Sequence, residues 1–370
     1  MRKGAYLLAG LLLIIPFGLY GKSSLRLSYA KNFEITDYGT HRIVSLTGPF
    51  RGSKKSHQYA LVPQDDEVPK LPEGIRVIRT PVQRVVIMET VYIGYLEALN
   101  QFEAIIGAAT TDYISHPDVR KRVTDGSIER IQTGQAVDLE NLILLQPDLI
   151  LTSISGDATF DMPAKLRRTG LPVALTAGYM EQHPLARAEW LKFIAAFFEQ
   201  DEKAGELFNE IERRYNELVE KTARVEDRPT VLCGAPYSGV WHVPGGNSFT
   251  AQQIRDAGGD YLWSDDVSQG AIPLDTERVF LKAARADFWL NPSFYRSMNA
   301  LLLADQRFAK FAPARNSKVH NNTRQVSPGG GNAIWERGIV EPDKILADLI
   351  HIFHPQLLPE HELVYYEHLD

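Results

Sequence analysis

The sequence has a single cysteine, Cys233, among its 370 residues, which excludes an internal disulfide and a zinc site built from cysteines. It also lacks a basic excess, since 40 Lys and Arg residues stand against 46 Asp and Glu residues, for a net charge of -6. A nucleic acid partner, which needs a positive surface, is therefore not expected. The Gly-x-Ser-x-Gly and His-Glu-x-x-His patterns of hydrolases are absent as well. We predict that the protein is not an enzyme, and an exported hydrolase is kept as an alternative from another class.

Long apolar runs are missing except at the N-terminus, where residues 5–21 follow Arg2 and Lys3. A basic start and an apolar stretch of this kind are typical of a secretory signal. The stretch is shorter than the roughly 20 residues of a membrane span, and Leu19-Tyr20-Gly21 is a poor cleavage site. Residues 1–24 are predicted to be a signal peptide or an N-terminal anchor. The protein is expected in the periplasm, attached to the inner membrane if the segment is uncleaved.

Residues 25–72 form a β-rich extension in our interpretation. Short runs at residues 33–35, 41–46 and 58–62 favour strands, and turn residues such as Asp37-Tyr38-Gly39 separate them. We predict a β-hairpin appendage whose role the sequence does not identify. An adhesive or structural module is the alternative function that such an appendage could serve.

The remainder of the chain alternates between strand and helix patterns. The apolar run Val85-Val86-Ile87-Met88 predicts a buried strand, and a helical pattern over residues 92–99 follows it directly. Alternation of this kind is typical of parallel sheets. We predict an N-terminal α/β lobe over residues 73–200 and a second α/β lobe over residues 227–356, with a C-terminal tail over residues 357–370.

Two long helices are predicted between Pro184 and Pro229, because this stretch contains no other proline and only one glycine, Gly205. They turn near Gln200. The second, over residues 201–226, is long enough to connect the two lobes. The predicted fold class is α/β, with two Rossmann-like lobes joined by a single long backbone helix.

A short pattern occurs once in each predicted lobe. Asp138-Leu139-Glu140 and Asp275-Thr276-Glu277 each begin a helix that leads to an Asp and an apolar strand. The Asp can cap free backbone N–H groups, and the Glu lies favourably at the positive end of the helix dipole. Helix capping is a sufficient explanation of the pattern from physical chemistry alone.

This paired pattern occurs together with the predicted connecting helix and with two further stretches, Trp241-His242-Val243-Pro244-Gly245-Gly246-Asn247 and Gly330-Gly331-Asn332-Ala333-Ile334-Trp335-Glu336. In these features the sequence resembles the periplasmic solute-binding proteins of siderophore and cobalamin ABC importers. The resemblance covers about residues 80–355. It implies a monomer that binds a ferric siderophore or related metal chelate between two lobes and delivers it to an ABC permease with its ATPase. Cobalamin and haem are the alternative ligands. It further implies that Glu140 and Glu277 face arginines of the permease.

Ligands of open α/β sheets bind beyond the carboxyl ends of the strands. The loops predicted there are rich in aromatic residues, and aromatic rings together with arginine suit a wide, flat chelate. Packing in the core is the alternative for each ring. The predicted ligand contacts are Tyr92, Tyr113, Tyr237, Trp241, Tyr295, Arg296, Asn332 and Trp335.

Two further possibilities concern charged residues. Arg187 begins a predicted helix near the lobe junction, where an ion pair with Glu189 is favoured over a ligand contact. No resident metal or cofactor is predicted, because the histidines are scattered along the chain. Convergence of His116, His183 and His242 on a metal is the alternative.

Overall fold

The computed structural model describes residues 23–133, 136–156, 166 and 169–370. The predicted signal or anchor lies outside these ranges except for its last two residues, Ser23 and Ser24. Within the described residues, no helix is both long enough and apolar enough to cross a membrane.

The N-terminal extension is larger than the predicted hairpin. It forms a five-stranded sheet in the order β1-β2-β3-β4-β5, antiparallel except for the parallel pair β4 and β5. The fifth strand belongs to a segment that we predicted to be part of the N-terminal lobe. The strands are β1 (Ser23–Ser24), β2 (Phe33–Asp37), β3 (Arg42–Thr47), β4 (Ser56–Pro63) and β5 (Arg76–Thr80).

The N-terminal lobe is built on a parallel sheet in the order β12-β11-β6-β7-β8. Its central strands are almost entirely apolar and buried, as expected for a parallel sheet covered on both faces. The strands are β6 (Val85–Ile87), β7 (Ile105–Ala108), β8 (Glu129–Arg130), β11 (Leu149–Ser153) and β12 (Val173–Thr176), with β9 (Gln132–Thr133) and β10 (Ala136–Val137) forming a separate antiparallel pair.

The C-terminal lobe repeats this arrangement. Its sheet has the order β16-β13-β18-β19-β20, parallel except for the edge strand β20. A small antiparallel sheet, β14-β15-β17, lies beside it. The strands are β13 (Thr230–Cys233), β14 (Pro236–Tyr237), β15 (Val240–Pro244), β16 (Asp260–Tyr261), β17 (Ala271–Asp275), β18 (Phe288–Leu290), β19 (Val319–Asn321) and β20 (Glu367–His368).

Ten α-helices are formed within the described residues. They include the two long helices predicted between Pro184 and Pro229, which break at Gln200, and the helices predicted after Asp138 and Asp275. The helices are α1 (Val91–Ala98), α2 (Pro117–Thr124), α3 (Leu139–Leu144), α4 (Pro184–Ala196), α5 (Asp201–Thr222), α6 (Phe249–Asp256), α7 (Thr276–Ala283), α8 (Met298–Ala304), α9 (Ala312–Arg315) and α10 (Pro342–Phe353).

The long helix α5 connects the lobes. Near its start the Lys203 ammonium group donates to the Leu99 carbonyl of the N-terminal lobe at 2.6 Å. Farther along, Arg214 forms an ion pair with Asp343 at 2.6 Å, and the Tyr215 hydroxyl donates to Asp256 at 2.7 Å, both in the C-terminal lobe. The predicted single connecting helix is therefore present, and side chains fasten it to both lobes.

A second connection is made by residues 322–341, which we call the interlobe segment. It leaves β19 and lies against α1, where the backbone of Glu336 contacts Gly94. The buried Glu336 carboxylate accepts hydrogen bonds from the Ser115 amide and hydroxyl and from the His116 amide, at 2.5–3.1 Å. This segment of the C-terminal half is thus packed onto the N-terminal lobe.

The C-terminal residues do not form the separate tail that we predicted. Residues 367–368 supply the edge strand β20, and Asp348 of α10 accepts hydrogen bonds from the backbone amides of Val364, Tyr365 and Tyr366. Tyr365 and Tyr366 are buried in the core. A buried carboxylate that receives several N–H groups fixes the chain end firmly in the lobe.

Candidate functional site

The carboxyl ends of the central strands of both sheets face a cleft between the lobes. Glu89 follows β6 and Ser153 ends β11 on one side, while Asn291 follows β18 and Asn322 follows β19 on the other. The cleft divides into three adjoining chambers, which we name after Tyr113, Glu89 and Arg51. All three have walls formed by residues far apart in the sequence.

The Tyr113 chamber has a volume of about 660 Å³. Tyr113 is 60% exposed and comes from the N-terminal lobe, and Phe294, 84% exposed, comes from the C-terminal lobe. Arg296 and Asn332 also line this chamber. The Arg296 side chain is more than half exposed and has a long contact of 3.6 Å with Glu367. Aromatic and polar groups thus surround this space.

The Glu89 chamber, of about 240 Å³, contains a buried carboxyl group. The Oε1 atom of Glu89 accepts from the Ser153 amide and hydroxyl and from the Thr152 hydroxyl, at 3.1–3.3 Å. Its Oε2 atom is buried and has no hydrogen bond partner. Burial raises the pKa of this carboxyl to about 7, and the hydrogen bonds from Ser153 oppose the shift. Glu89 therefore exists in both protonation states near neutral pH.

The Arg51 chamber has a volume of about 420 Å³ and lies next to the N-terminal extension. Arg51 is contributed by the turn between β3 and β4, Tyr179 and Glu181 by the N-terminal lobe, and His242 and Phe249 by the C-terminal lobe. Three parts of the chain therefore meet at this end of the cleft.

Trp335 of the interlobe segment lines both the Tyr113 and the Glu89 chamber. It is 48% exposed, and its ring meets that of Phe249 edge to face at 6.3 Å between centroids. The ring is held by packing on one side and open to the cleft on the other. Such a ring offers stacking area to a bound ligand.

Arg187 of α4 lines the Glu89 chamber. Its guanidinium group lies over the Phe249 ring at 4.1 Å and donates from Nε to the Gly178 carbonyl at 3.3 Å. Burial lowers its pKa, although Tyr95 and Glu181 act in the opposite direction. No carboxylate among the described residues forms an ion pair with it, so its charge is left for another partner.

The expected ion pair between Arg187 and Glu189 is wrong. Glu189 is fully buried and instead binds Lys192 at 2.8 Å together with the backbone amides of Ser28, Tyr29 and Ala30 in the extension. The two side chains are two residues apart on α4, and side chains at that spacing do not face each other on a helix.

Five of the eight predicted ligand contacts line the cleft. Trp335, Tyr113, Arg296 and Asn332 are accessible there, whereas Tyr92 is 1% exposed and has its hydroxyl hydrogen-bonded to Thr176 at 2.8 Å. Tyr92 therefore lies beneath the surface of the Glu89 chamber. The binding role of all five stays a prediction.

Trp241 corrects one expectation. Its ring has no exposed surface, its indole N–H donates to the Cys233 carbonyl at 3.0 Å, and it packs against Trp289, Phe308 and Phe311. It belongs to the core because β15 alternates buried and exposed residues, with Trp241 on the buried face. The exposed Val240 is apolar, so the residue types of this strand do not alternate and the sequence did not show which face is buried.

Tyr237 and Tyr295 are also not among the described residues that line the three chambers. Tyr237 is 71% exposed on the short strand β14. Tyr295 is partly buried, and its backbone carbonyl accepts from the Asn321 side chain at 2.7 Å. Arg51, Phe249 and Glu89 line the cleft and were not among the predicted ligand contacts.

The three histidines proposed as an alternative metal site lie in different places. His116 caps α2 and pairs with Glu97 at 3.3 Å, which raises the His116 pKa and lowers that of Glu97. His183 caps α4 between the rings of Tyr29 and Tyr215, and His242 lines the Arg51 chamber. The described residues contain no group of three His, Cys, Asp or Glu side chains arranged to hold a metal ion.

The predicted helix caps are confirmed in both lobes. Asp138 accepts from the Asn141 amide at 2.9 Å, and Asp275 accepts from the Arg278 amide at 2.7 Å. The nearby Glu140 is exposed, and Glu277 is exposed and contacts Arg307 at 3.3 Å. Both glutamates are accessible on the surface, and their role in docking stays a prediction.

Comparisons with known proteins agree with this architecture. A model of the periplasmic binding protein family matches residues 85–322. An uncharacterized lipoprotein of Methanocaldococcus jannaschii, MJ0878, is 26% identical over 355 residues, covering 89% of this chain and 82% of its own length.

Two solved structures share the fold at low sequence identity. Helicobacter pylori CeuE, a structure with Ni(II) bound, matches with a TM-score of 0.59 and 15% identity over 80% of this chain and 92% of its own. A periplasmic heme binding protein from Pseudomonas aeruginosa matches with a TM-score of 0.58 and 17% identity over 78% of this chain and 98% of its own. Because the family model matches residues 85–322, more than half of the chain, the chain belongs to the periplasmic binding protein family.

Proposed function

We propose that this protein is the exported substrate-binding component of an ABC importer and that it captures an anionic ferric siderophore between its lobes. The family membership supports a binding role, and the curated relative is a lipoprotein, which is consistent with export. The cleft supports a ligand with flat, unsaturated groups, because Trp335, Tyr113 and Phe294 expose ring surface to it.

The proposed negative charge of the ligand rests on the Arg187 guanidinium group, which forms no ion pair with a described residue. The Arg187 side chain is partly buried, and its guanidinium group gives up part of its hydration without a carboxylate to replace it, which is costly. Two of its nitrogens are left for a ligand, since the Nε atom binds the Gly178 carbonyl. An anionic oxygen in the cleft would complete this environment through charge-assisted hydrogen bonds.

Ligand titrations of the purified protein test the proposal. Tryptophan fluorescence is followed as a ferric tris-catecholate, a ferric tris-hydroxamate, haemin or cyanocobalamin is added. We expect tight binding of the anionic ferric catecholate, and loss of about tenfold or more in affinity in Arg187→Gln. Arg213→Gln is the matched control, because Arg213 is exposed on α5 and pairs with the exposed Glu217.

The outcomes separate the alternatives. Preferential binding of haemin or cyanocobalamin would replace the siderophore with another ligand of the same transport class. Mass spectrometry of the ligand after incubation distinguishes binding from an exported hydrolase, because a hydrolase changes the mass of the compound. Failure of all four compounds to bind contradicts the proposal.

We propose that delivery uses Glu140 and Glu277 as contacts to permease arginines. The two groups are exposed at equivalent helix starts in the two lobes, and α5 fixes the lobes relative to each other. In cells, Glu140→Ala combined with Glu277→Ala is expected to abolish uptake while ligand affinity stays within about twofold. Normal uptake by the double variant contradicts this docking mode.

A further inference from the structure

The turn between β3 and β4, residues 48–55, reaches the cleft. Phe50 packs so tightly on Gly156 that a Cβ atom at Gly156 would lie 2.5 Å from the Phe50 ring. On the other side of the turn, the Tyr179 hydroxyl lies 3.4 Å from the Pro49 carbonyl, which accepts from it. The turn is thus held against the N-terminal lobe at the point where β11 and β12 end.

The next residue, Arg51, extends towards the opposite lobe. A Cβ atom built on Gly270 would lie 3.9 Å from an Arg51 guanidinium nitrogen, which is van der Waals distance. Gly270 and His242 belong to the C-terminal lobe and line the same chamber as Arg51. The extension therefore places a cationic group at one side of the cleft.

The positive charge of Arg51 is not matched within the chamber. No described residue forms an ion pair or a hydrogen bond with its side chain. Glu181 lines the same chamber, but its carboxylate accepts from the Lys31 and Asn32 amides and from the indole N–H of Trp190. These hydrogen bonds all end on the Oε1 atom of Glu181, and no ion pair joins Glu181 to Arg51, so the Arg51 guanidinium group is available to a ligand.

We infer that the turn of the extension forms one wall of the ligand site and that Arg51 binds an anionic oxygen group of the cargo. This inference rests on the proposed function and adds a determinant of ligand charge to it. The determinant lies outside residues 85–322, where the family model matches. It is contributed instead by the sheet that precedes them, and this gives the extension a role in selecting the ligand.

Three variants test the inference with two chelates of different charge. Affinities for an anionic ferric tris-catecholate and an uncharged ferric tris-hydroxamate are measured in Arg51→Gln, Arg51→Lys and Lys54→Gln. Lys54→Gln is the matched control, because Lys54 lies on the same turn and carries the same charge but is not part of the chamber wall.

We expect Arg51→Gln to weaken binding of the anionic chelate by about tenfold or more and to leave any binding of the uncharged chelate within about twofold. Arg51→Lys keeps the charge and should retain part of the affinity. Lys54→Gln should match the wild type for both chelates. The unfolding midpoints of all variants should equal that of the wild type, since the Arg51 and Lys54 side chains are exposed.

Each other result overturns the inference in a distinguishable way. Equal affinity of the wild type and Arg51→Gln for the anionic chelate removes the role of Arg51 and leaves the proposed function standing. If Lys54→Gln loses as much affinity for the anionic chelate as Arg51→Gln, the positive charge of the turn as a whole attracts the chelate and Arg51 makes no specific contact with it. If the wild type binds only the uncharged chelate, the cargo does not place an anionic group against this wall. If the wild type binds neither chelate, the proposed siderophore function fails, and the inference fails with it.

Discussion

Glu89 has a carboxyl group that burial keeps partly protonated at neutral pH. Its folded-state pKa is raised to about 7, while an unfolded chain leaves such a group near its ordinary value of about 4.5. Between pH 4.5 and pH 7, therefore, Glu89 is mostly protonated in the folded state and mostly ionised in the unfolded state. Protonation favours the fold at low pH, and this contribution is lost as the pH rises towards 7.

The matched variant for this effect is Glu89→Gln, which has a neutral side chain of the same shape. Between pH 4 and pH 8, we expect the wild type to lose about 3 kcal/mol of unfolding free energy relative to Glu89→Gln. Denaturant unfolding curves of both proteins at several pH values measure this difference. A constant difference across that range would show that the folded and unfolded pKa values are alike.

Trp335 and Trp241 offer a paired comparison of a cleft ring and a core ring. Trp335→Ala should weaken ligand binding by roughly thirtyfold, because truncation of an aromatic anchor costs about 2 kcal/mol, with little change in stability of the free protein. Trp241→Ala should cost about 3–5 kcal/mol of unfolding free energy, because it leaves a cavity among Trp289, Phe308 and Phe311. Thermal unfolding and ligand titration on both variants measure these quantities. A destabilised Trp335→Ala that still binds tightly would assign this ring to the core as well.

The positions of these residues were predictable only where local pattern determines them. The cap residues Asp138 and Asp275 follow from the sequence, since a cap needs only its own helix. Arg51 could not be placed in this way, because its position depends on contact between Phe50 and Gly156 across more than a hundred residues. Long-range packing, and not local preference, decides which strand-end and turn residues meet in the cleft.

At the scale of elements, the repeat seen in the sequence corresponds to a repeat of topology. The strands β7-β6-β11-β12 and β16-β13-β18-β19 have the same order, and in each lobe the capped helix leads to the third of these strands. The apolar strands and helix boundaries were predictable because their patterns are local. The sheet of the extension was underestimated, since β5 pairs with β4 across residues that contain only turn and loop patterns.

Gly94 on α1 allows the interlobe segment to approach the N-terminal lobe. A Cβ atom there would lie 2.2 Å from the Glu336 carbonyl oxygen, so Gly94→Ala forces the two backbones apart. We expect a loss of about 1–3 kcal/mol in unfolding free energy, with weaker ligand binding because Trp335 is next to Glu336. Denaturant unfolding and ligand titration of the variant measure the two effects.

Gly205→Ala is the control, because Gly205 lies within helix α5 and no other atom lies within 4 Å of a Cβ atom built there. The same substitution at this site should raise the unfolding free energy by about 0.5–1 kcal/mol, since alanine loses less backbone entropy than glycine in a helix. Equal effects at the two sites would contradict the proposed steric role of Gly94.

At the scale of the whole molecule, two connections hold the lobes together. Helix α5 is fastened at both ends, and the interlobe segment is bound through Glu336 to Ser115 and His116. Movement of one lobe against the other would break several of these contacts at once. Hinged closure needs a few residues that absorb large changes in backbone angles, and a packed helix does not provide them.

Small lobe motion is therefore expected on ligand binding. A compact chain of this length has a radius of gyration of about 21 Å, and we expect saturating ligand to change it by less than about 1 Å. Solution X-ray scattering of the free and bound protein measures this change. Gly94→Ala is a useful comparison, because it loosens one of the two connections and should show a larger difference between the free and bound states. A decrease of several ångströms in the wild type would show that the connections open in the free protein and that binding closes a hinge.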